Sequence, residues 1–172
     1  MKKYLIVVDM QNDFVDGALG SAEACAIVPA AAKKIAGFDG EIIVTYDTHY
    51  DDYMDTAEGK KLPVPHCIKG TDGWQLNTDI AEALADKDYT AIEKNTFGSS
   101  ELPELISAED DDISIELIGL CTDICVVSNT LLLKAFFPEA HISVDASCCA
   151  GVTPEKHEAA LETMRSCQID IL

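Results

Sequence analysis

Positive charge is what this 172-residue sequence has least of: 12 lysines and arginines stand against 31 aspartates and glutamates, a formal net charge of −19. A surface of that sign repels phosphate backbones and anionic headgroups, which argues against nucleic acid or a membrane as partner. Long apolar runs are also missing, so no segment qualifies as a transmembrane span. The opening "MKKYLIVVDMQNDF" has a basic pair and a short apolar run, but Asp9 ends that run too early for a secretion signal. A cytoplasmic chain is expected. Cysteine is plentiful at 7, yet a disulfide framework is absent. The number is odd, no C-x-x-C occurs, and Cys148 and Cys149 are adjacent, a poor geometry for bridging each other. Reduced thiols are expected. Internal repeats and low-complexity tracts are lacking too, and the acidic run 109–112 reads as a solvated loop.

What is present is the ordinary mix of a globular protein, 48% hydrophobic and 25% charged, in a length suited to one domain over residues 1–172. Apolar, β-rich runs at 4–10, 41–49, 88–96, 112–120 and 141–148 read as strands, with 168–172 a weaker sixth. Several are nearly continuous in Val, Ile and Leu, as strands covered on both faces require. Helix-like stretches at 23–37, 74–86, 99–107, 123–137 and 154–167 fall between them, the last starting at Pro154. That alternation predicts an α/β domain around a largely parallel sheet.

In such folds ligands bind beyond the carboxyl ends of the strands. Four successive strand ends carry ionisable or nucleophilic groups: Asp9, then Asp47 and His49, then Lys94, then Cys121 through Cys125. Asp9 closes an apolar strand, where a carboxylate is costly without a partner or a task. Cys125 is expected in the first turn of a helix, where free N–H groups favour a thiolate, with Thr122 or Asp123 as its cap. A lone cysteine is more often inert packing, but Asp9 as general base and Lys94 as countercharge would make a site for amide hydrolysis through a thioester. For the Cys121/Cys125 pair, a redox couple, a metal clip, and a nucleophile with a bystander are all open. Asp47 and His49, two apart, can face one side of the sheet, and His66 follows a loop bracketed by Pro63 and Pro65, with Glu58 between. Two imidazoles and carboxylates suit Zn²⁺, Fe²⁺ or Mn²⁺. His141 and His157 lack such neighbours and read as structural.

These elements, in this order, resemble the isochorismatase-like cysteine hydrolases, and among them the nicotinamidases. The resemblance rests on "VVDMQNDF" (7–14), "EKNTFGSSEL" (93–102) and "GLCTDICV" (119–126), and runs from residue 4 to about 150. It implies a six-stranded parallel sheet in the order 3-2-1-4-5-6 within a three-layer domain. It also implies Asp9, Lys94 and Cys125 as catalytic triad. Cys121, after a cis peptide, would lend its backbone N–H to an oxyanion hole shared with residue 125. Asp47, His49 and His66 are implied as metal ligands, with Glu58 as a fourth, and Phe14 as a wall against a pyridine ring. Two positions depart from the pattern: Thr48 stands where nicotinamidases commonly have Trp, and "KNTFGS" replaces K-x-x-x-S-A-F. The partner implied is a small amide, foremost nicotinamide, with another carbamoyl or ureido amide as the second enzyme reading. A homo-oligomer is compatible with the resemblance. A thiol redox or metal-sensing module is the reading outside enzymes, and it leaves Asp9 and Lys94 without a role.

Overall fold

The computed structural model describes residues 1–106 and 112–172. Six strands, β1 (Lys2–Val8), β2 (Glu41–Asp47), β3 (Tyr89–Lys94), β4 (Ile113–Leu120), β5 (His141–Ala150) and β6 (Asp170–Ile171), form one sheet. Every neighbouring pair is parallel, in the order β3-β2-β1-β4-β5-β6. The helices are α1 (Asn12–Val15), α2 (Ala22–Gly37), α3 (Ala57–Lys61), α4 (Thr78–Leu84), α5 (Val127–Phe136) and α6 (Pro154–Ser166). Among the described residues no helix is long and apolar enough to cross a membrane.

The period of two along β1 decides what packs where. Tyr4, Ile6 and Val8 join Leu117, Leu133, Leu161 and Met164 on the face of α5 and α6. Leu5 and Val7 join Val28, Ile35, Ile80 and Leu84 on the face of α2 and α4. All five β1 residues are fully buried, and each such side chain contributes ~1.5–3 kcal/mol. Ser21 caps α2 by accepting from the Ala24 N–H, Asn77 caps α4 through the Asp79 N–H, and Thr153 caps α6 through the Lys156 N–H. At the β1–β4 seam Gly119 has φ +121°, and a Cβ there would lie 2.1 Å from the Val8 carbonyl oxygen. Only glycine lets the two central strands approach just before both enter the site.

Several boundaries differ from the sequence reading. β1 stops at Val8 because Asp9 turns into the left-handed region at φ 48°. Of the helix expected over 99–107, residue 107 lies outside the described residues, and the rest holds only a 3₁₀ turn, Leu102–Leu105, built around Pro103. The helix expected from Trp74 begins only at Thr78, since Asp72–Trp74 forms its own 3₁₀ turn. Of the acidic loop expected at 109–112, residues 109–111 lie outside the described residues, and Asp112 is exposed.

One charge cluster sits within the α2 layer. The Lys34 ammonium bridges Glu116 on β4 and Asp145 on β5, the latter at 2.6 Å. Burial works against both charges, yet the contact holds Asp145 below its ordinary value and Lys34 above its own. The Asp145 contribution is present above the unfolded carboxylate pKa and lost as pH falls through the depressed folded value. The Lys34 contribution is present below the unfolded lysine pKa and lost as pH rises through the raised one. Lys34→Met, which strands two carboxylates, should therefore cost ~1–2 kcal/mol near neutrality after solvent screening. Urea melts should show the penalty shrinking in acid; a penalty independent of pH would refute the electrostatic origin.

Candidate active site

The carboxyl ends of β1 to β4 meet at one edge of the sheet, and the side chains there are buried rather than solvated. Asp9 is fully buried, its backbone N–H bonded to Thr45 and its Oδ1 accepting the Thr45 hydroxyl at 2.5 Å. The left-handed turn at Asp9 swings the chain away from β2, a conformation that aspartate tolerates better than most residues. Lys94, the last residue of β3, places Nζ 2.6 Å from Asp9 Oδ2, 3.4 Å from Cys125 Sγ and 3.1 Å from the Thr96 carbonyl oxygen. The Lys94 ammonium thus touches both the Asp9 carboxyl group and the Cys125 thiol.

Cys125 does not occupy the first turn of α5. Thr122–Val126 forms a separate, wider π-helical turn between β4 and α5, and Cys125 lies within it. Neither expected cap forms: the Thr122 hydroxyl bonds with His157 Nδ1 at 2.7 Å, and Asp123 Oδ1 accepts the Val152 N–H. His157 therefore helps pin this turn. His141 pairs instead with Asp170 on β6, away from the strand ends. The expected thiolate is also corrected. Burial pushes the Cys125 thiol well above its ordinary pKa, Asp9 adds to the rise, and Lys94 offsets it only in part. Burial raises Asp9 as well, against the pull of Lys94, while the anions around Lys94 outweigh its own burial and keep it firmly protonated.

Cys121 follows a cis peptide bond from Leu120. Its thiol is pushed up to about 12, by burial first and then by Asp123 and Asp9. All seven cysteines are free thiols.

Beside the triad, Asp47, His49 and His66 are buried, with one ligand atom from each within 4.8 Å of the others. Both imidazole Nε2 atoms converge on Asp47 Oδ2, at 3.0 Å from His49 and 3.4 Å from His66. Glu58, carried in by α3, closes the group at 3.6 Å from His66 and 3.8 Å from His49. His66 Nδ1 bonds the Val64 carbonyl at 2.8 Å, which leaves Nε2 as the lone-pair nitrogen facing the group. Burial opposes the charge on Asp47, but the two imidazoles and Lys94 hold its carboxyl well below the usual range. Burial and then Asp47 push Glu58 up. This donor set, two imidazole nitrogens with carboxylate oxygens, fits a first-row divalent metal.

A cavity of about 660 Å³ opens onto both groups, with Phe14, Thr48, Tyr50, Phe97, Cys121 and Cys125 in its walls. Phe14 stands edge-on to His66 with ring centroids 5.4 Å apart. Phe14, Asp47, His49, Glu58, His66, Cys121 and Cys125 border this one volume, while Asp9 and Lys94 lie behind Cys125, outside its lining. The sequence reading missed Thr45, which holds Asp9, and Asn129. The latter is fully buried, donates to the Cys125 and Phe97 carbonyls and accepts the Ser99 N–H. It thereby ties the lysine loop to the cysteine turn, but an asparagine within a helix carries no chemical signature in sequence.

Relatives share this architecture. A nicotinamidase/pyrazinamidase from Mycobacterium tuberculosis is 28% identical, over 98% of this chain and 97% of the relative. The pyrazinamidase of Pyrococcus horikoshii, solved in complex with zinc, superposes with a TM-score of 0.83 at 25% identity, covering 100% of this chain and 99% of that one. N-carbamoylsarcosine amidase from Thermoplasma acidophilum superposes with a TM-score of 0.77 at 26% identity, covering 99% and 95%. The model of the isochorismatase domain matches residues 3–172, and the chain belongs to that family.

Proposed function

We propose that the protein is a cysteine-dependent amidohydrolase that converts nicotinamide to nicotinate and ammonia. The observation that carries this reading is the contact of Lys94 with both Asp9 and Cys125, where Cys125 lines a cavity that also borders the Asp47–His49–His66 group. Asp9 accepts the Sγ proton as the sulfur attacks the carboxamide carbon. The oxyanion that develops is received by the backbone N–H groups of residues 121 and 125. Asp9 then returns the proton to the leaving nitrogen, the C–N bond breaks, and ammonia departs from a Cys125 thioester. Asp9 next takes a proton from water, whose oxygen adds to the thioester carbon; the C–S bond then breaks, Asp9 returns that proton to the departing sulfur, and the acid and the free thiol result. Lys94 keeps one positive charge beside Asp9 and the sulfur throughout.

Asp47, His49 and His66, with Glu58 as fourth donor, would hold Zn²⁺, Fe²⁺ or Mn²⁺. Such an ion supplies a Lewis-acid position for a ring nitrogen. Phe14 covers the apolar ring face, so that binding and bond-breaking are assigned to different residues. The zinc complex of the P. horikoshii pyrazinamidase supports the metal reading, and the M. tuberculosis relative supports the ring amide. A second reading, a carbamoyl or ureido amide, is favoured by the similarity to N-carbamoylsarcosine amidase.

Ammonia release over a panel of nicotinamide, benzamide, N-carbamoyl amino acids and simple ureas decides between the two. Nicotinamide should be the best substrate, with activity lost in chelator and in His49→Ala or His66→Ala. Benzamide, without the ring nitrogen, should be much poorer. Equal rates for benzamide and nicotinamide, or full activity without metal, would remove the nicotinamide reading.

A further inference from the structure

The segment between the catalytic aspartate and Phe14 has three polar side chains, Gln11, Asn12 and Asp13, for which the chemistry above has no use. Each reaches a different part of the chain, and the three destinations share a purpose. β1 pairs with β2 only as far as Val8 opposite Thr45, because Asp9 turns the backbone away. The next residue of β2 to face β1 is Asp47, whose peptide groups lose their strand neighbour. Gln11 replaces that neighbour with its side chain. Its Oε1 accepts the Asp47 N–H at 2.8 Å, and its Nε2 donates to the Asp47 carbonyl at 2.8 Å and to the Trp74 carbonyl at 2.9 Å. Gln11 is completely buried, so its amide completes the sheet at the residue that supplies a carboxylate to the metal group.

Asp13 does the same for the other side of that group. Its Oδ2 accepts the Cys67 N–H at 2.8 Å, one residue beyond His66, and its Oδ1 accepts the Ala18 N–H at 3.3 Å. Cys67 itself has φ 47°, so the His66–Cys67 corner is an uncommon backbone conformation that needs outside support. Beneath both residues lies the Asp72–Trp74 turn. Asn12 fastens it from two sides, its N–H on the Gln75 carbonyl and its Nδ2 on the Asp72 carbonyl, each at 2.9 Å. Gly73 in this turn has no side chain, and a Cβ there would lie 2.2–2.4 Å from the Asp13 carboxylate. The turn also returns to the metal group, since Trp74 Nε1 donates to the Thr48 hydroxyl at 2.9 Å, between Asp47 and His49.

We infer that Gln11 and Asp13 are positioning residues that fix the spacing of Asp47 and His66, with Gly73 as the space Asp13 requires. The inference rests on reading Asp47, His49 and His66 as metal ligands, and it makes one short segment after β1 responsible for Asp9, for the ring wall at Phe14 and for the registration of the ligands. Small errors in ligand spacing cost affinity steeply, and outer partners of metal ligands are typically worth ~10–100-fold in binding.

The test is Zn²⁺ affinity of the chelator-stripped full chain, measured by competition with a chromogenic chelator, with circular dichroism and melts on the metal-free proteins. Gln11→Ala and Asp13→Ala should each bind Zn²⁺ ~10–100-fold more weakly while still folded. Asp13→Asn should recover most of that loss, because its amide oxygen still accepts the Cys67 N–H. Gly73→Ala should weaken Zn²⁺ by itself but add little to Asp13→Ala, since both act through one carboxylate. Should Gln11→Ala or Asp13→Ala fail to fold, Asp13→Asn and Gly73→Ala still decide the matter, because a mild loss in the first and a large one in the second are expected. Unchanged Zn²⁺ affinity in folded Asp13→Ala, full additivity of the Gly73 and Asp13 substitutions, or absence of Zn²⁺ binding by the parent chain would overturn the inference. A failure of nicotinamide turnover with this affinity pattern intact would count against the substrate alone.

Discussion

Cys125→Ala is expected to abolish ammonia release from nicotinamide, while Cys121→Ala keeps a substantial fraction of it. The two thiols differ in position rather than in sequence context. Cys125 Sγ is in contact with the Lys94 ammonium that also pairs with Asp9, whereas Cys121 belongs to the chain just after β4 and is asked only for its backbone N–H. Alanine retains that N–H. Loss of the Cys125 sulfur leaves Lys94 with Asp9 and the Thr96 carbonyl, so the fold should survive. Labelling should follow exposure: with Cys125 buried and its thiol pushed up by that burial, iodoacetamide should reach the exposed Cys25 and Cys167 first. Comparable activity losses in the two alanine variants, both folded, would assign the nucleophile wrongly.

The sheet was legible because its determinants are local. "YLIVV" is apolar on both faces and "ISIELIGL" is so in its second half, Leu117–Leu120, as strands of a covered parallel sheet require, and the alternation with helices set the class. The ends of these elements were not. Nothing in "VDMQ" announces that Asp9 turns left-handed, since Met10 continues the apolar pattern and is fully buried as well. Cys125 reads as a helix-start residue because the widened turn at Thr122–Val126 depends on contacts from Val152 and His157, far along the chain.

The candidate site divides in the same way. Asp9, Asp47, His49, Lys94 and Cys125 stood out because charge, imidazole and thiol are rare at or just after strand ends unless used, and His66 stood out as a second imidazole after a Pro-bracketed loop. Gln11, Thr45 and Asn129 stayed hidden because neutral polar side chains are common everywhere, and their role consists of backbone partners that only the fold assembles. The thiolate expectation failed for a related reason. Sequence lists Lys94 as a countercharge but says nothing of burial, and burial dominates the Cys125 environment.

Asp9→Asn should fold and lose ~10²–10⁴-fold in turnover. Asparagine tolerates the left-handed φ of 48° that most residues resist, so the turn that delivers the side chain persists. Its amide oxygen can face Lys94 and its Nδ2 can donate to the Thr45 hydroxyl, which keeps the buried positions bonded. What it cannot do is accept the Sγ proton, and burial pushes the Cys125 thiol up, which makes an acceptor for that proton necessary. Stability should fall too, since Lys94 then keeps only Asp47 Oδ1 at 3.6 Å as a full countercharge. Removing one member of a buried pair costs ~3–5 kcal/mol, whereas removing both is often close to neutral. The double substitution Asp9→Asn with Lys94→Met should thus recover much of the lost stability and none of the activity. Turnover near the parent level in Asp9→Asn would mean that another group takes the thiol proton. Activity returning with stability in the double variant would reduce Asp9 and Lys94 to a structural pair.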